Sequence, residues 1–433
     1  MNMEKPPLHI AMFPWFAMGH LLPFLRLSNI LAEKGHQISF FVPTKTQSKL
    51  NHLNFRPKLV NFIPLVVPHV EGLPLGSETM SNISIELEPL LATALDLMQQ
   101  KVEKILQDLK PDFVFYDFAY WIPKIARPLG IKSIFYSIVV ASQFVEREMG
   151  EKVASWLEKM WKALIHLEFG IGVTLPQRLA ACMQDCDAIA FRGCHEIEGT
   201  AYESLEIKYG KQVLVTGPVL DEPCSFPLEE RWDKWLRAFS EESVVYCAFG
   251  SEWVMTKEAF QELVLGLEFT GLPFFVALKP PHGMTSVEEA FPAGFAERVK
   301  GRGVVYSGWV QQKLILNHPS VGCFVTHCGA SSMWESLVSD CQIVALPQAG
   351  DQFMNANLLT NELKVGVEIE RRDEDGWFTR EGVRQAVEAI MNQESEVGIK
   401  ARENHAMLKD TLLKKGLESA YLNNFVAKLQ DMV

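Results

Sequence analysis

The fold is decided by residues 323–339, CFVTHCGASSMWESLVS, in which an apolar strand (CFVT) runs through a short loop (HCGASS) into a helix (MWESLVS). Gly329 permits a close approach of the backbone, and Ser331 and Ser332 supply hydroxyl groups beside it. The start of the helix adds unpaired N–H groups and the positive end of the helix dipole. Together these features predict an anion site that a diphosphate would fit.

A plain structural alternative exists for part of this stretch. Ser332-x-x-Glu335 has the spacing of a capping box, which needs no ligand. That alternative leaves His327, in the same loop, and Trp309, at the start of the region, with no role beyond packing.

The order of strand, loop and helix opens both halves of the chain. Residues 8–43 contain LHIAMF, a loop, the helical FLRLSNILAEKG and HQISFFVP, and residues 243–278 repeat that order at nearly the same spacing. Continuously apolar strands that alternate with amphipathic helices are typical of parallel sheets covered on both faces. The sequence therefore predicts an α/β protein with two doubly wound domains, as the length of 433 residues also favours. Further strands are predicted at 112–117, 132–137, 188–193, 212–217, 303–308, 323–326 and 342–347.

Domain boundaries follow from a segment rich in proline and acidic residues, GPVLDEPCSFPLEERW. We predict an N-terminal domain over 1–225, a linker over 226–240 and a C-terminal domain over 241–415. The amphipathic end of the chain, 416–433, is predicted to form a helix that packs back on the N-terminal domain.

Composition excludes several classes of function. A net charge of −12 and a pI near 5.5 argue against nucleic-acid binding and against a polybasic membrane-surface protein, since both need a cationic field. No uncharged apolar run reaches about 18 residues, and the N-terminus does not read as a secretory signal. Eight cysteines without a CxxC pair favour reduced thiols and a cytoplasmic location. Neither GxGxxG nor GxxxxGK[ST] occurs, so a dehydrogenase or P-loop enzyme has no support.

His20 is the titratable residue of an otherwise apolar stretch, FPWFAMGHLLPF, which we place in the first strand-to-helix loop. Asp117 ends the apolar strand DFVFYD, where a half-buried carboxylate needs a partner. If the two strands end at the same edge of the sheet, the carboxylate can hold one imidazole nitrogen and leave the other as a base. A histidine that caps the next helix and an aspartate that caps the turn at Phe118 explain the same residues equally well.

The region from Trp309 to Gln352 resembles the signature box of the plant secondary-product UDP-glycosyltransferases, known as family 1. The "GH" loop at 19–20, "FYDFAYW" at 115–121 and "FGSE" at 249–252 extend the resemblance over essentially the whole chain. It implies a GT-B fold, in which two Rossmann-like domains face a cleft, with the nucleotide sugar held by the C-terminal domain and the acceptor by the N-terminal domain. Within the box, the matching positions are Trp309, Gln312, His318, Gly322, His327, Cys328, Gly329, Ser332, Glu335, Asp351 and Gln352.

The resemblance also implies a role for each donor-site residue. Trp309 would stack on uracil beside the Val310 backbone, Gln312 and Glu335 would hold the ribose, and Asp351 and Gln352 would bind the sugar hydroxyls. The diphosphate contacts would come from Ser251, His327 and Ser332, and the predicted UDP-sugar site also includes Gly329 and Ser331 from the same loop.

The family's catalytic pair maps onto His20 and Asp117, which favours the dyad over the capping alternatives. His20 would remove the proton of the acceptor hydroxyl as it attacks the anomeric carbon, with inversion, and Asp117 would stabilise the imidazolium. No metal and no cofactor are expected, since the UDP-sugar is a co-substrate and the helix N-terminus with His327 meets the charge of the leaving UDP. Asp185-Cys186-Asp187 spells the Asp-x-Asp of metal-dependent enzymes, but it precedes an N-terminal strand and lies far in sequence from the box.

Several positions depart from the usual box. Ala330-Ser331-Ser332 replaces Trp-Asn-Ser, Asp340-Cys341-Gln342 replaces Gly-Val-Pro, and Gln311 replaces a proline. With "ESLVSDCQIV", these departures resemble the subgroup that extends sugars already attached to plant metabolites. We therefore expect a branch-forming enzyme whose nucleophile is a sugar hydroxyl of a flavonoid or other phenolic glycoside. A bare flavonoid or terpenoid hydroxyl is the alternative, and a UDP-sugar epimerase is a more remote one.

Donor and acceptor details are less specific. Gln352 favours UDP-glucose, while relatives in the subgroup also use UDP-xylose or UDP-rhamnose. Near the ligand edge of the first sheet, the candidates for lining the acceptor pocket are Trp15, Phe16, Phe118, Ser137 and Ser142, with core packing an equal alternative for the aromatic residues.

Overall fold

A computed structural model of the chain describes residues 6–145, 156, 166–219, 227–250 and 253–433. These residues form two compact units. Of the described residues, 6–145, 166–219 and 416–433 belong to the first unit, and 156, 227–250 and 253–415 belong to the second.

The first unit is built on a seven-stranded parallel sheet with the order β3-β2-β1-β4-β5-β6-β7. Its strands are β1 His9–Phe13, β2 Gln37–Pro43, β3 Val60–Leu65, β4 Phe113–Tyr116, β5 Lys132–Ser137, β6 Ala188–Phe191 and β7 Val213–Val215. Its helices are α1 Met18–Glu33, α2 Gln47–Leu50, α3 Glu88–Asp96, α4 Gln99–Leu109, α5 Ile122–Ala126, α6 Leu175–Asp185, α7 His195–Tyr209 and, from the end of the chain, α16 Leu417–Asp431. Short 3₁₀ turns lie at Asn51–Leu53, Met80–Asn82, Ile85–Leu87, Arg127–Leu129 and Ala141–Phe144.

The second unit carries a six-stranded parallel sheet with the order β10-β9-β8-β11-β12-β13. Its strands are β8 Val244–Ala248, β9 Phe274–Ala277, β10 Gly303–Tyr306, β11 Val321–Thr326, β12 Gln342–Ala345 and β13 Gly366–Glu368. Its helices are α8 Glu230–Leu236, α9 Lys257–Phe269, α10 Phe295–Arg298, α11 Gln312–Leu316, α12 Ala330–Leu337, α13 Gln352–Asn357, α14 Arg380–Met391 and α15 Glu396–Leu412. A 3₁₀ turn at Glu288–Ala290 and a π-helical turn at Leu358–Glu362 complete the unit.

Apolar side chains cover both faces of each sheet, as the continuously apolar strands predict. The C-terminal helix α16 contributes to a core of the first unit. Its Leu422, Phe425 and Leu429 are buried there, and the Phe425 ring meets the Phe115 ring of β4 edge-on at 6.1 Å. Residues 416–433 therefore extend the first unit although they follow the second in sequence. Among the described residues, no helix combines the length and the apolar character needed to cross a bilayer.

Two strands were not predicted from the sequence. Both β3 and β13 lie at the edge of a sheet. Asn61 and Pro64 interrupt the apolar residues of β3, and β13 has only three residues, so neither matches the pattern of a continuously apolar strand.

Two local differences concern helices. Helix α1 begins at Met18 and contains Pro23 as its sixth residue; burial of Leu21 and Phe24 in a core of the first unit offsets the backbone hydrogen bond that a proline removes. His20 therefore lies in the first turn of α1 rather than in the preceding loop. Within the stretch 226–240, expected as a linker, α8 forms because Trp232 and Leu236 are buried in a core of the second unit.

Candidate active site

The strand order of the first sheet reverses between β1 and β4: β2 and β3 lie on one side of β1, and β4 to β7 follow on the other side. Ligands bind at such a switch point in open α/β sheets. Strands β1 and β4 end together, because Phe13 pairs with Tyr116 in the last register position. Asp117 follows β4 directly, and the turn after β1 leads into α1 with His20 in its first turn. The topology thus brings together two residues that are 97 positions apart in sequence.

His20 and Asp117 form a close side-chain pair, with Nδ1 of the imidazole 2.6 Å from Oδ2 of the carboxylate. Side-chain exposure is 16% for His20 and 4% for Asp117. The other carboxylate oxygen, Oδ1, accepts the backbone N–H groups of Trp15 and Phe118, each at 2.7 Å. Because an ionised carboxylate only accepts hydrogen bonds, the pair places the imidazole proton on Nδ1 and makes Nε2 the basic nitrogen.

The two capping alternatives for this pair have different outcomes. The N-cap residue of α1 is Ala17 and receives no side-chain hydrogen bond, so His20 is not a helix cap. Asp117 does accept the N–H of Phe118, so it holds the turn and the imidazole at the same time.

Two of the acceptor-pocket candidates are core residues. Trp15 and Phe16 are 1% and 0% exposed, and their rings stack on each other at 6.2 Å, so the packing alternative describes them. Phe118 is partly exposed and meets the His20 ring edge-on at 5.5 Å. Among the candidates, Phe118 is thus the aromatic side chain with a surface beside the imidazole.

The two serine candidates lie after β5. Ser137 is buried, and its hydroxyl is engaged with the backbone of Val139, donating to the carbonyl at 3.2 Å and accepting the N–H at 3.3 Å. Ser142 is partly exposed, and its backbone N–H donates to Glu198 at 2.9 Å. The Ser137 hydroxyl therefore stabilises the turn after β5, while Ser142 remains partly accessible to solvent.

The second sheet has its switch point between β8 and β11, and His327 follows β11 directly. The ring is partly exposed, with its Nδ1 enclosed by protein. Burial lowers the pKa of His327 to about 4, although a hydrogen bond with the Ala248 backbone opposes that shift. Its imidazole is therefore uncharged at neutral pH and can meet an anion as a hydrogen-bond donor rather than as a cation.

Glycines flank the His327 ring closely. A Cβ added at Gly329 would lie 2.5 Å from Nε2, and one added at Gly250 would lie 3.0 Å from the same atom. At Gly329 any larger residue would displace the imidazole, and at Gly250 the φ angle of +68° favours glycine. Ser251, the adjacent phosphate-contact candidate, lies outside the described residues.

Helix α12 starts immediately after this loop, with Gly329 as its N-cap. Ser332 is therefore the third helical residue rather than the cap, and the capping box suggested by its spacing to Glu335 is not formed. Ser331 is exposed in the first turn, whereas Ser332 is buried. The helix start thus presents Ser331 and backbone N–H groups next to His327, as an anion site requires.

A second cluster connects α11, α12 and β8. The amide nitrogen of Gln312 donates to Ser332 Oγ at 3.1 Å and to Glu335 Oε2 at 2.6 Å, and its amide oxygen accepts the Tyr246 hydroxyl at 3.2 Å. Gln312 and Glu335, for which the family resemblance implies contacts to ribose, therefore lie together and hold each other in place. Trp309, three residues before Gln312, is 78% exposed, so its indole ring has an open face.

The two sugar-binding candidates lie at the start of α13. Asp351 accepts the Asn355 side-chain amide at 3.0 Å, and Asn355 also donates to the Cys328 carbonyl at 2.8 Å. Gln352 uses its side-chain oxygen to accept the backbone N–H groups of Gln348 and Ala349, at 2.9 and 3.2 Å. This geometry connects the loop before α13 to the loop that carries His327.

Some residues of the site were not identified from the sequence. Arg178 and Cys182, on α6, donate hydrogen bonds to the carbonyls of Phe118 and Asp117. Nothing in their local sequence marks them, because the contacts span 60 and 65 residues. Asp187, from the Asp-x-Asp stretch, binds the backbone and hydroxyl of Ser133 at 2.8 and 2.9 Å, which gives it a structural role.

Comparison with known proteins shows which family this chain is similar to. The model of the family described as UDP-glucoronosyl and UDP-glucosyl transferase matches residues 223–405. Cyanidin 3-O-galactoside 2''-O-xylosyltransferase of Actinidia chinensis var. chinensis is 48% identical, with all of both chains covered. Anthocyanidin 3-O-glucoside 2''-O-glucosyltransferase of Ipomoea nil is 46% identical over the same full coverage. UDP-glycosyltransferase 79B2 of Arabidopsis thaliana is 46% identical, covering 98% of this chain and 97% of its own.

Solved structures agree on the architecture. Arabidopsis thaliana UGT89C1 complexed with UDP-L-rhamnose has a TM-score of 0.80 at 22% identity and covers 99% of this chain and 100% of its own. Medicago truncatula UGT71G1 complexed with UDP-glucose has a TM-score of 0.77 at 20% identity, with 98% of each chain covered. The two parallel sheets are accordingly those of the GT-B fold.

Proposed function

The chain belongs to the UDP-glycosyltransferase family, and from this we propose that it transfers a sugar from a UDP-sugar to a sugar hydroxyl of a plant phenolic glycoside. Two relatives support this acceptor class, since both are named for transfer to the 2''-oxygen of a 3-O-glycoside. The proposed acceptor is thus an anthocyanin or related flavonoid glycoside, and the bond formed is between two sugars.

The His20–Asp117 hydrogen bond of 2.6 Å is the observation that carries the chemical part of the proposal. Nε2 of His20 takes the proton of the acceptor hydroxyl as that oxygen bonds to the anomeric carbon. The bond from that carbon to the β-phosphate oxygen breaks, and UDP leaves with the electron pair. Asp117 stabilises the imidazolium that forms, and a single displacement inverts the anomeric centre.

We assign the donor to the second unit. Trp309 would stack on uracil beside the Val310 backbone, and Gln312 with Glu335 would bind the ribose hydroxyls. His327, Gly329, Ser331, Ser332 and Ser251 would contact the diphosphate, and Asp351 with Gln352 would bind the sugar. The support for this assignment is the Gln312–Glu335 cluster, the neutral His327 beside the start of α12, and the exposed ring of Trp309.

UDP-glucose is the donor to test first, with UDP-xylose and UDP-rhamnose beside it. The relatives differ on this point, because one is named a xylosyltransferase and the other a glucosyltransferase. We also propose a cytoplasmic location, since all seven cysteines in the described residues are buried thiols without a disulfide bond.

The decisive experiment incubates the purified protein with each of the three UDP-sugars and with matched acceptors, namely an anthocyanidin, its 3-O-glucoside and its 3-O-galactoside. We expect the glycosides to yield an anthocyanidin that carries a disaccharide and the aglycone to yield no product, with a β-linkage from UDP-glucose by nuclear magnetic resonance. Products from the aglycone alone would reject the branch-forming function. Conversion of the UDP-sugar without an acceptor would indicate an epimerase instead.

A further inference from the structure

Arg178 and Asp96 form a buried ion pair in the first unit. Their side chains are 0% and 5% exposed, and the guanidinium contacts both carboxylate oxygens, Nη1 to Oδ1 at 3.0 Å and Nη2 to Oδ2 at 2.5 Å. Arg178 lies in the first turn of α6, and Asp96 is the last residue of α3. A planar, two-point pair of this kind fixes direction as well as distance.

The pair also binds the chain around it. Arg178 donates to the carbonyl of Phe169 from Nε and Nη2, at 3.0 and 2.9 Å. Asp96 accepts the indole N–H of Trp121 at 3.1 Å and the backbone N–H of Ile171 at 2.9 Å. The buried charges are therefore satisfied by neighbouring polar groups, as a buried pair must be if it is not to destabilise the fold.

One contact of Arg178 leads directly to the dyad. Its Nη1 donates to the Phe118 carbonyl at 2.9 Å, while the Phe118 N–H donates to Asp117 Oδ1 at 2.7 Å. One turn further along α6, Cys182 donates from Sγ to the Asp117 carbonyl at 3.1 Å. The backbone of Asp117 and Phe118 is thus held by α6 on one side, and the Asp117 carboxylate holds His20 on the other.

Gly170 shows how closely the pair is enclosed. A Cβ at this position would lie 1.9 Å from Nη2 of Arg178 and 2.4 Å from Oδ2 of Asp96, and the φ angle of +89° suits glycine alone. A buried ion pair adds little net stability over apolar residues of the same volume. Its directed hydrogen bonds to the Phe118 and Phe169 carbonyls therefore point to a role in placing the chain.

We propose that Arg178, paired with Asp96, is a positioning residue for the transfer reaction: through the backbone of Phe118 it fixes the Asp117 carboxylate and so the orientation of the His20 imidazole. This inference rests on the proposed function, because it assigns Arg178 to the same base. Phe118, whose ring lies against His20, is set by the same contact.

The test is a double-mutant cycle between Arg178→Lys and Asp117→Asn. Lysine keeps the charge but cannot contact two carboxylate oxygens and the Phe118 carbonyl in one plane. We expect Arg178→Lys to lower kcat by about 10- to 100-fold, because a misplaced base loses its alignment with the acceptor. The KM for the UDP-sugar should not change, since the proposed donor residues belong to the second unit.

The interaction term identifies how Arg178 acts. If Arg178 acts through Asp117, Arg178→Lys lowers kcat only slightly further in a protein that already carries Asp117→Asn, and the two effects are not additive. The acid limb of the kcat/KM profile should also move to lower pH in Arg178→Lys, because the carboxylate supports the imidazolium less well. If Arg178→Lys lowers kcat by the same factor in the wild type and in Asp117→Asn, and leaves the pH profile unshifted, the proposal is overturned.

A matched control is Arg298→Lys, which breaks a two-point pair with Glu268 in the second unit and should leave kcat unchanged. If Arg178→Lys does not unfold cooperatively on heating, Cys182→Ala replaces it in the cycle, since it removes the contact of α6 with the Asp117 carbonyl together with the packing of one buried sulfur atom. An additive loss, or no loss, in that cycle counts against the proposal. A wild-type protein that transfers no sugar at all would instead contradict the proposed function.

Discussion

The side-chain amide nitrogen of Gln312 lies 2.6 Å from the Glu335 carboxylate and joins α11 to α12. We expect Glu335→Gln to weaken UDP binding by about 10- to 150-fold, because a hydrogen bond to a charged group contributes about 1.5–3 kcal/mol. Titration calorimetry with UDP measures the effect. Glu258→Gln, on the exposed surface of α9, is the control and should bind as wild type does. Equal affinity of the Glu335 variant would remove this residue from the ribose site.

His20 is predicted to be the base of the reaction. His20→Ala should lower kcat by at least about 10²-fold, the low end of what a positioned base contributes. UDP affinity should stay near that of the wild type, since the residues proposed to bind UDP lie in the second unit. Initial rates at saturating substrate, with calorimetry on the same sample, separate these two effects. Unchanged turnover would refute the assigned base.

The sequence predicted the inner strands and the placement of Asp117 and His327 for one physical reason, whereas the choice of the dyad over the two capping alternatives came from the family resemblance. Buried parallel strands read as continuous apolar runs, and a chemically active residue directly after such a run must lie at the ligand edge of the sheet. Asp117 and His327 both follow this pattern. What remained hidden depends on contacts distant in sequence: Arg178 reaches Asp96 across 82 residues, and Trp15 is buried by packing that its own segment does not reveal.

Trp309 should contribute to UDP binding without contributing to stability. Its side chain is 78% exposed, so Trp309→Ala should leave the melting temperature nearly unchanged. Stacking of a base on an aromatic ring is worth about 1–3 kcal/mol, which corresponds to a loss of UDP affinity of about 5- to 150-fold. Trp309→Phe keeps a stacking face and should recover most of that loss. A variant with alanine that binds UDP as tightly as wild type would exclude the stacking role.

His327 should make the free energy of unfolding depend on pH. Its pKa is lowered to about 4 by burial, from 6.5 as the ordinary value. Between these values the unfolded chain binds a proton at this residue and the folded chain does not, so unfolding becomes easier as the pH falls. In this pH range, one such group changes the free energy of unfolding by about 1.4 kcal/mol per pH unit.

Urea unfolding at pH 7, 6 and 5 measures this slope in wild type and in His327→Gln. The variant lacks the titrating group, and its free energy of unfolding should fall less steeply with decreasing pH, while contributions from the remaining histidines are common to both proteins. Parallel slopes would contradict the assignment of the shift to His327.

Gln311 occupies a position at which the glycosyltransferase signature box usually has proline. Its side chain makes two hydrogen bonds to the segment before α8. The amide oxygen accepts the Glu229 N–H at 2.7 Å, and the amide nitrogen donates to the Pro227 carbonyl at 3.0 Å. These bonds hold the segment that leads into α8, whose Trp232 is buried. We expect Gln311→Ala to lower the free energy of unfolding by about 1–2 kcal/mol, as two hydrogen bonds of ordinary strength would.

Gln311→Pro tests the same bonds with a different backbone effect. The φ angle of −78° at this position suits proline, so the variant should lose both side-chain bonds without strain and regain about 0.4–1 kcal/mol from a stiffer unfolded chain. Amide hydrogen exchange at Glu229 should accelerate in both variants, because both leave its N–H without the glutamine oxygen. The stability order should then be wild type, Gln311→Pro, Gln311→Ala. Unchanged exchange at Glu229 would show that this side chain does not hold the segment, and that the glutamine needs another explanation.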